Sequence, residues 1–176
     1  MRDLLSELQR PFRLWSHDEI FGEPCPVPAE GGTYGWHFTT APHPALDAGR
    51  LLYIGVSPGS ATSRETLRSR IKYHFRGDAE GSTVRLTVGC LLGFPLYRVG
   101  RAGTLTFGAD GEAELSAWLA EHGRLCWSLG ERPWTTKPAA IAAADVPLNL
   151  QHNKDHLFHP ELSRIRAAAV AAAKPL

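Results

Sequence analysis

Four side chains in this 176-residue chain have types and spacing suited to phosphate chemistry. Tyr34 stands in GGTYGWHF and Tyr53 in RLLYIGVS, two short strand-like runs. Arg70 and His74 follow in LRSRIKYHFRG, four residues apart. Residues i and i+4 lie on one helical face, so the guanidinium and the imidazole aim at the same place. A guanidinium fork matches two phosphate oxygens at once, and phenols on neighbouring strands bring hydroxyls to the same spot. The chemistry these residues suggest is the holding and attack of a phosphate group.

The elements that must position them are legible in outline. TYGWHFTT, aromatic and threonine-rich, predicts a strand. LLYIGVS predicts a buried apolar strand. The segment APHPALDAG joins the two as a long loop, so the pair is expected to be an antiparallel hairpin. Ser63 or Thr62 is expected to cap the next helix, whose Leu67, Ile71 and Phe75 form an apolar stripe ending at Gly77. Ser82 caps STVRLTVGCLLG, which fits a helix although its threonine and valine also suit a strand. Asp110 is expected to cap GEAELSAWLAEHG, and RLCWSLG to form a third strand. Pro138 is expected to open the helix PAAIAAAD, and Pro160 the alanine-rich last helix. Leu4, Leu5 and Leu8 predict a short first helix stopped by Pro11.

Bulk properties narrow the classes. The length suits a single domain with a real core, here residues 1–176 with the core at 31–150. A net charge of +1 excludes a globally basic nucleic-acid binder, so any polyanion must meet a local patch. Three scattered cysteines, Cys25, Cys90 and Cys126, predict reduced thiols in a cytoplasmic protein rather than a disulfide framework. No run is apolar enough to predict a membrane span or a secretory signal. The fold class expected is α/β of the α+β type, a small three-stranded antiparallel sheet flanked by helices.

Gly32-Thr33-Tyr34, Tyr53-Ile54-Gly55, Leu67-x-x-Arg70-x-x-x-His74 and Pro147-Leu148-Asn149, in this order, resemble the GIY-YIG nuclease superfamily. The resemblance is closest to the bacterial branch that includes small restriction-type endonucleases. It implies hydrolysis of a DNA phosphodiester, RNA not being excluded, with Mg²⁺ or Mn²⁺ if nuclease activity is retained. It further implies Tyr34 activating water with Tyr53, Arg70 holding the scissile phosphate, His74 orienting the water or donating to an oxygen, and Asn149 fixing its loop and contacting the site. Arg64, Arg68, Lys72 and Arg76, crowded around one helix, are expected on flanking phosphates, and Trp36 stacked on a base. With no second reading domain, specificity is expected from the loop at 39–50, from residues 93–109, from a partner protein or from a homodimer.

By the same resemblance a glutamate, the metal ligand, should stand about a dozen residues before the Asn, and that position holds Lys137. A protonated lysine repels a divalent ion. Glu131 substitutes only if ERPWTTK folds back; otherwise the ligand is lost and the nuclease weakened, or the Lys137 ammonium takes the place of the metal as a fixed cation. Two alternatives follow from that lysine: a nucleic-acid-binding module that does not cut, and an enzyme repurposed for a small anionic metabolite. Taken singly, Tyr34 and Tyr53 are ordinary core aromatics, and His74 a packed histidine. His152, His156 and His159 lack partners to complete a tetrahedral zinc set. Cys126, in an apolar strand, is expected to be a buried small hydrophobe.

Overall fold

A computed structural model describes residues 2–176. The central sheet has the order β2-β1-β5, built from β1 (Gly32–Phe38), β2 (Leu51–Ser57) and β5 (Gly123–Leu129). Both pairings are antiparallel, with Tyr34 opposite Gly55 on one side and Trp127 on the other. The expected hairpin and third strand are therefore present. Every residue of β1 and β2 is buried, because helices cover both faces. That double cover explains why LLYIGVS reads as a continuous apolar run rather than an alternating one.

Alternation along β1 sorts its side chains between two cores. Tyr34, Trp36 and Phe38 point into the larger core with Leu67, Ile71 and Phe75 of α3 (Leu67–Arg76) and Leu115 and Leu119 of α5 (Gly108–His122). On the opposite face Ile54 and Cys126 meet Leu8 of α1 (Arg2–Gln9) and Ala140 and Ile141 of α6 (Pro133–Ala143). His37, also on that face, bonds the Leu8 carbonyl at 2.9 Å. It thereby ties α1 to the sheet.

Two glycines of the motif strands are required by packing. A Cβ at Gly55 would lie 2.2 Å from the Tyr34 ring, so the residue opposite Tyr34 must lack a side chain. At Gly32 a Cβ would meet the Ser128 carbonyl oxygen at 2.3 Å and Leu67 at 2.7 Å, so glycine lets α3 pack down on the strand.

Several element boundaries differ from expectation. Thr66, not Ser63 or Thr62, caps α3, because Thr66 and Ser69 bond each other's backbone amides in a capping box. Gly77 ends α3 with φ −81°, so no left-handed residue is used. Ser82 caps α4 (Thr83–Leu91) as expected, and the segment is a helix. Asp110 lies inside the first turn of α5, which begins at Gly108. Pro133 rather than Pro138 opens α6, and Pro138 lies within it. Pro133 suits the first helical position, where its missing amide hydrogen would have no intrahelical acceptor, whereas Pro138, five residues on, removes one intrahelical bond. Lys137 is thus on the helix instead of before it.

The chain also forms elements the sequence did not announce. These are α2 (His17–Phe21), β3 (Tyr97–Val99), β4 (Thr104–Thr106) and β6 (Lys174–Pro175). β3 pairs antiparallel with β4 and parallel with β6, a second small sheet at the end of α7 (His159–Ala172). No helix among the described residues is long and apolar enough to cross a membrane.

Candidate active site

β1 carries Tyr34 to the centre of the sheet, with its ring laid over Gly55. α3 crosses the same face and delivers His74, whose Nε2 lies 2.6 Å from the Tyr34 hydroxyl. The other ring nitrogen, Nδ1, is 2.6 Å from Ser82 Oγ at the start of α4. Burial pushes the His74 pKa well below the usual imidazole range, and the charges of Arg70, Arg85 and Lys137 push the same way. The ring is therefore neutral. With the phenol donating to Nε2, Nδ1 carries the proton and donates to Ser82.

Tyr34 is 1% exposed and Tyr53 5%. Burial raises the Tyr34 pKa beyond its ordinary value; Tyr53 adds to this, and Arg70 opposes it. Tyr53 is likewise raised by burial and opposed by Arg70 and Arg166. Both phenols are protonated at neutral pH. A free tyrosinate base is thus excluded at rest, and Tyr34 can take a proton only by passing its own to His74.

Arg70 lies one helical turn before His74 and is half-buried. Its Nη1 donates to the Gly81 carbonyl at 3.0 Å and stands 3.7 Å from Glu65 Oε1, and its guanidinium also engages the Tyr34 phenol. Lys137 reaches the same region from α6: burial, then the Arg70 charge, lowers its pKa. The charge of Arg70 acts on both phenols, that of Arg166 on Tyr53 and that of Lys137 on His74, with Glu65 as the carboxylate beside Arg70.

This set does not fit a divalent metal. Mg²⁺ and Mn²⁺ take carboxylate and water oxygens, and two or three cationic side chains would repel the ion. Glu65, the carboxylate within reach, is engaged by Arg70. Among the described residues no three His, Cys, Asp or Glu side chains group as ligands. Glu131 is exposed and precedes α6, so the fold-back that would recruit it does not occur.

Asn149 is engaged by the backbone of β2. Its Oδ1 accepts from the Ile54 amide and its Nδ2 donates to the Ile54 carbonyl, both at 2.9 Å. Leu148 donates to the Leu52 carbonyl at 3.0 Å. Residues 148–149 thereby pair the free edge of β2 and hold Tyr53 in place. With both polar groups of its side chain committed to backbone, Asn149 is a positioning residue. His74 is likewise committed within the protein, its two ring nitrogens engaging Tyr34 and Ser82.

The expected nucleic-acid contacts fare less well. Trp36 is 0% exposed and packs on Phe38 and Phe75, so it cannot stack a base. Arg68 donates to the Val27 carbonyl at 2.7 Å. Lys72 and Arg76 lie over the Phe21 ring, at 5.2 and 3.7 Å. At 100° per residue these three occupy the side of α3 away from Arg70. Arg64 is exposed in the loop before the helix. The crowded basic helix therefore divides its charges, and only Arg70 serves the phenols. Cys126 meets its expectation: it is buried, and burial pushes its thiol up to about 12.

Two arginines escaped the sequence reading. Arg85 is fully buried on α4 and forms an ion pair with Glu112 at 2.6 Å. It also donates to the carbonyls of His74, Phe75 and Glu112 and to Ser116 Oγ. It locks the end of α3, and so His74, against α4 and α5. Arg166 on α7 lies 3.5 Å from Thr87 Oγ1, and its charge acts on Tyr53. An arginine at position 85, three residues after a helix cap, gives no sign in sequence that it is buried.

Comparison with family models matches residues 43–168 to the GIY-YIG catalytic domain. The matched span holds Tyr53, Arg70, His74, Lys137 and Asn149, and begins after the strand that carries Tyr34. Comparison with curated proteins and with solved structures finds no match. A match over well more than half of the chain, on a three-stranded antiparallel sheet flanked by helices, settles the family. The chain belongs to the GIY-YIG catalytic-domain family, whose general function is of the nuclease type.

Proposed function

We propose that this domain hydrolyses DNA phosphodiester bonds with side-chain cations in place of a metal ion. The observation that carries the reading is the buried hydrogen-bond chain from Tyr34 through His74 to Ser82, placed beside Arg70 and Lys137. Arg70 holds the scissile phosphate through the part of its fork that faces the phenols. A water between the phosphate and Tyr34 attacks phosphorus. As it does, its proton passes to the Tyr34 oxygen and the phenolic proton passes to His74 Nε2. The bond from phosphorus to the leaving oxygen breaks, and Lys137 donates the proton that oxygen needs. Burial and the Arg70 charge, which weaken its hold on that proton, favour this role.

Charge develops on the phosphate oxygens where Arg70 and Lys137 stand, so both stabilise the transition state more than the ground state. Tyr53 borders the same phosphate and fixes the position of the water with Tyr34. Asn149 and Arg85 keep these groups in register. The test is nicking of a supercoiled plasmid, followed by cleavage of labelled linear and branched DNA and of RNA. Cutting that is lost in Arg70→Ala supports the reading. A wild-type chain inert on every substrate, with or without divalent ions, refutes it.

A second reading is favoured by one observation, the 1% exposure of Tyr34. A phenol so enclosed suits a module that grips phosphate through Arg70 and Lys137 without cutting. Salt-dependent binding to DNA with no product would identify that case.

A further inference from the structure

Resting on that reading, we infer that Phe12, Arg13, Trp15 and Trp127 form a stacking platform that takes an unpaired base of the DNA strand. The platform stands at the outer edge of β5. Trp15 and Leu125 exchange backbone hydrogen bonds of 2.8 and 3.0 Å, which fixes the segment after α1 along that edge. The Trp15 ring reaches its diagonal neighbour Trp127 and stacks on it, with centroids 5.6 Å apart and planes 20° from parallel. The Arg13 guanidinium lies 3.9 Å from the centre of the Trp15 ring. These groups line an open cleft of about 540 Å³, together with Phe12, Arg10 and Glu7.

Phe12 tells what the cleft is for. At 107% it is the most exposed large apolar side chain among the described residues. A phenylalanine exposed alone needs no explanation, but this one shares a cleft with two stacked indoles and two arginines. Aromatic faces interleaved with cations match a ligand that is both planar and anionic. An unpaired nucleotide has both parts: its base stacks on Phe12 and the Arg13 plane, and its phosphate meets Arg10. Arg13 already pairs with Glu19, so its part is stacking. Arg10 has no carboxylate within ion-pairing distance among the described residues, Glu7 included. A base inside a duplex offers no such face, because its neighbours cover both sides.

The sheet register ties the platform to the phenols. Trp127 stands opposite Tyr34, so both side chains lie on one face of the sheet. Trp15 follows one strand further out, and strand spacings are about 4.8 Å. A strand held at Arg70 needs only a few more nucleotides to reach it. The base contact expected of Trp36, which is buried, passes to this edge.

The experiment uses the full chain and three fluorescein-labelled DNA oligonucleotides: a single strand, the same strand carrying abasic sites, and the duplex. Anisotropy follows binding across a salt series. Wild type should bind the single strand more tightly than either of the others. Phe12→Ala, which removes no packing, should weaken single-strand binding about tenfold, as for one lost stacked base, and leave the abasic strand unchanged. Phe12→Trp should restore it. Arg10→Gln should reduce the slope of log K against log[salt] by about 0.7, as for one phosphate contact on a single strand. Equal single-strand affinities for wild type, Phe12→Ala and Arg13→Ala overturn the platform, and a wild type that still nicks plasmid leaves the proposed function standing. Self-association of wild type that Phe12→Ala abolishes, with DNA binding unchanged, assigns the surface to a second copy and likewise overturns the platform. A wild-type chain that binds no nucleic acid overturns both.

Discussion

The Tyr34 hydroxyl and His74 Nε2 lie 2.6 Å apart in the buried interior, joining β1 to α3 by a short hydrogen bond. In the proposed mechanism this contact lets Tyr34, a phenol whose pKa burial raises, pass its proton to His74 as it takes one from water. Tyr34→Phe should therefore keep the fold and lower the cleavage rate by a factor of roughly 10²–10⁴, the range for loss of general base catalysis. His74→Gln should give a similar loss with little change in KM. A rate within threefold of wild type in either variant would remove the pair from the mechanism.

Acid should unfold the protein through its buried neutral histidines. Burial lowers the pKa of both His74 and His37 in the folded state, whereas in the unfolded chain they titrate near 6.5. The unfolded state thus binds more protons below about pH 6.5, so stability is full above that value and falls as pH drops. Each group contributes a slope of about 1.4 kcal/mol per pH unit until its folded pKa is reached. Urea denaturation of wild type and His37→Gln between pH 7.5 and 5.5 checks this. The variant should show a shallower decline; parallel curves would contradict it.

Asn149→Ala should cost about 3 kcal/mol, because it leaves the Ile54 amide and carbonyl on β2 without their partners. Asn149→Asp keeps the acceptor and should lose less. Urea midpoints measure both. If the alanine variant were as stable as wild type but inactive, Asn149 would touch the substrate after all.

Glu112→Ala should be among the most destabilising single changes, about 3–5 kcal/mol, since it strands the Arg85 charge in the interior. Glu112→Gln, which still offers an oxygen to the Ala79 and Phe107 amides, should cost less. Thermal denaturation of the two variants gives the order, and equal melting temperatures would mean that the ion pair is not what matters.

Local pattern carried the sheet and most of the site into view. Tyr34, Tyr53, Arg70 and His74 could be placed because alternation on strands and i, i+4 spacing on a helix are short-range rules. What short-range rules cannot supply is which side of α3 faces the sheet. That choice separated Arg70 from Arg68, Lys72 and Arg76, and it depends on Phe21 and Val27, residues of earlier segments. The burial of Trp36 was hidden for the same reason. Arg85 was invisible as an interior charge because its burial depends on Glu112 far along the chain, and the inward turn of the half-buried Arg166 depends on how α7 packs. The α6 boundary was misplaced because Pro138 reads as a start, whereas Pro133 already occupies that place.

The central claim is that Lys137 stands in for a metal ion, and plasmid nicking with and without chelator tests it most directly. Wild type should cut in excess EDTA at the rate seen with Mg²⁺, and Lys137→Ala should lose that activity. Lys137→Glu should cut only when Mg²⁺ or Mn²⁺ is added. A wild-type chain that stops cutting in EDTA and recovers with Mg²⁺ would contradict the account.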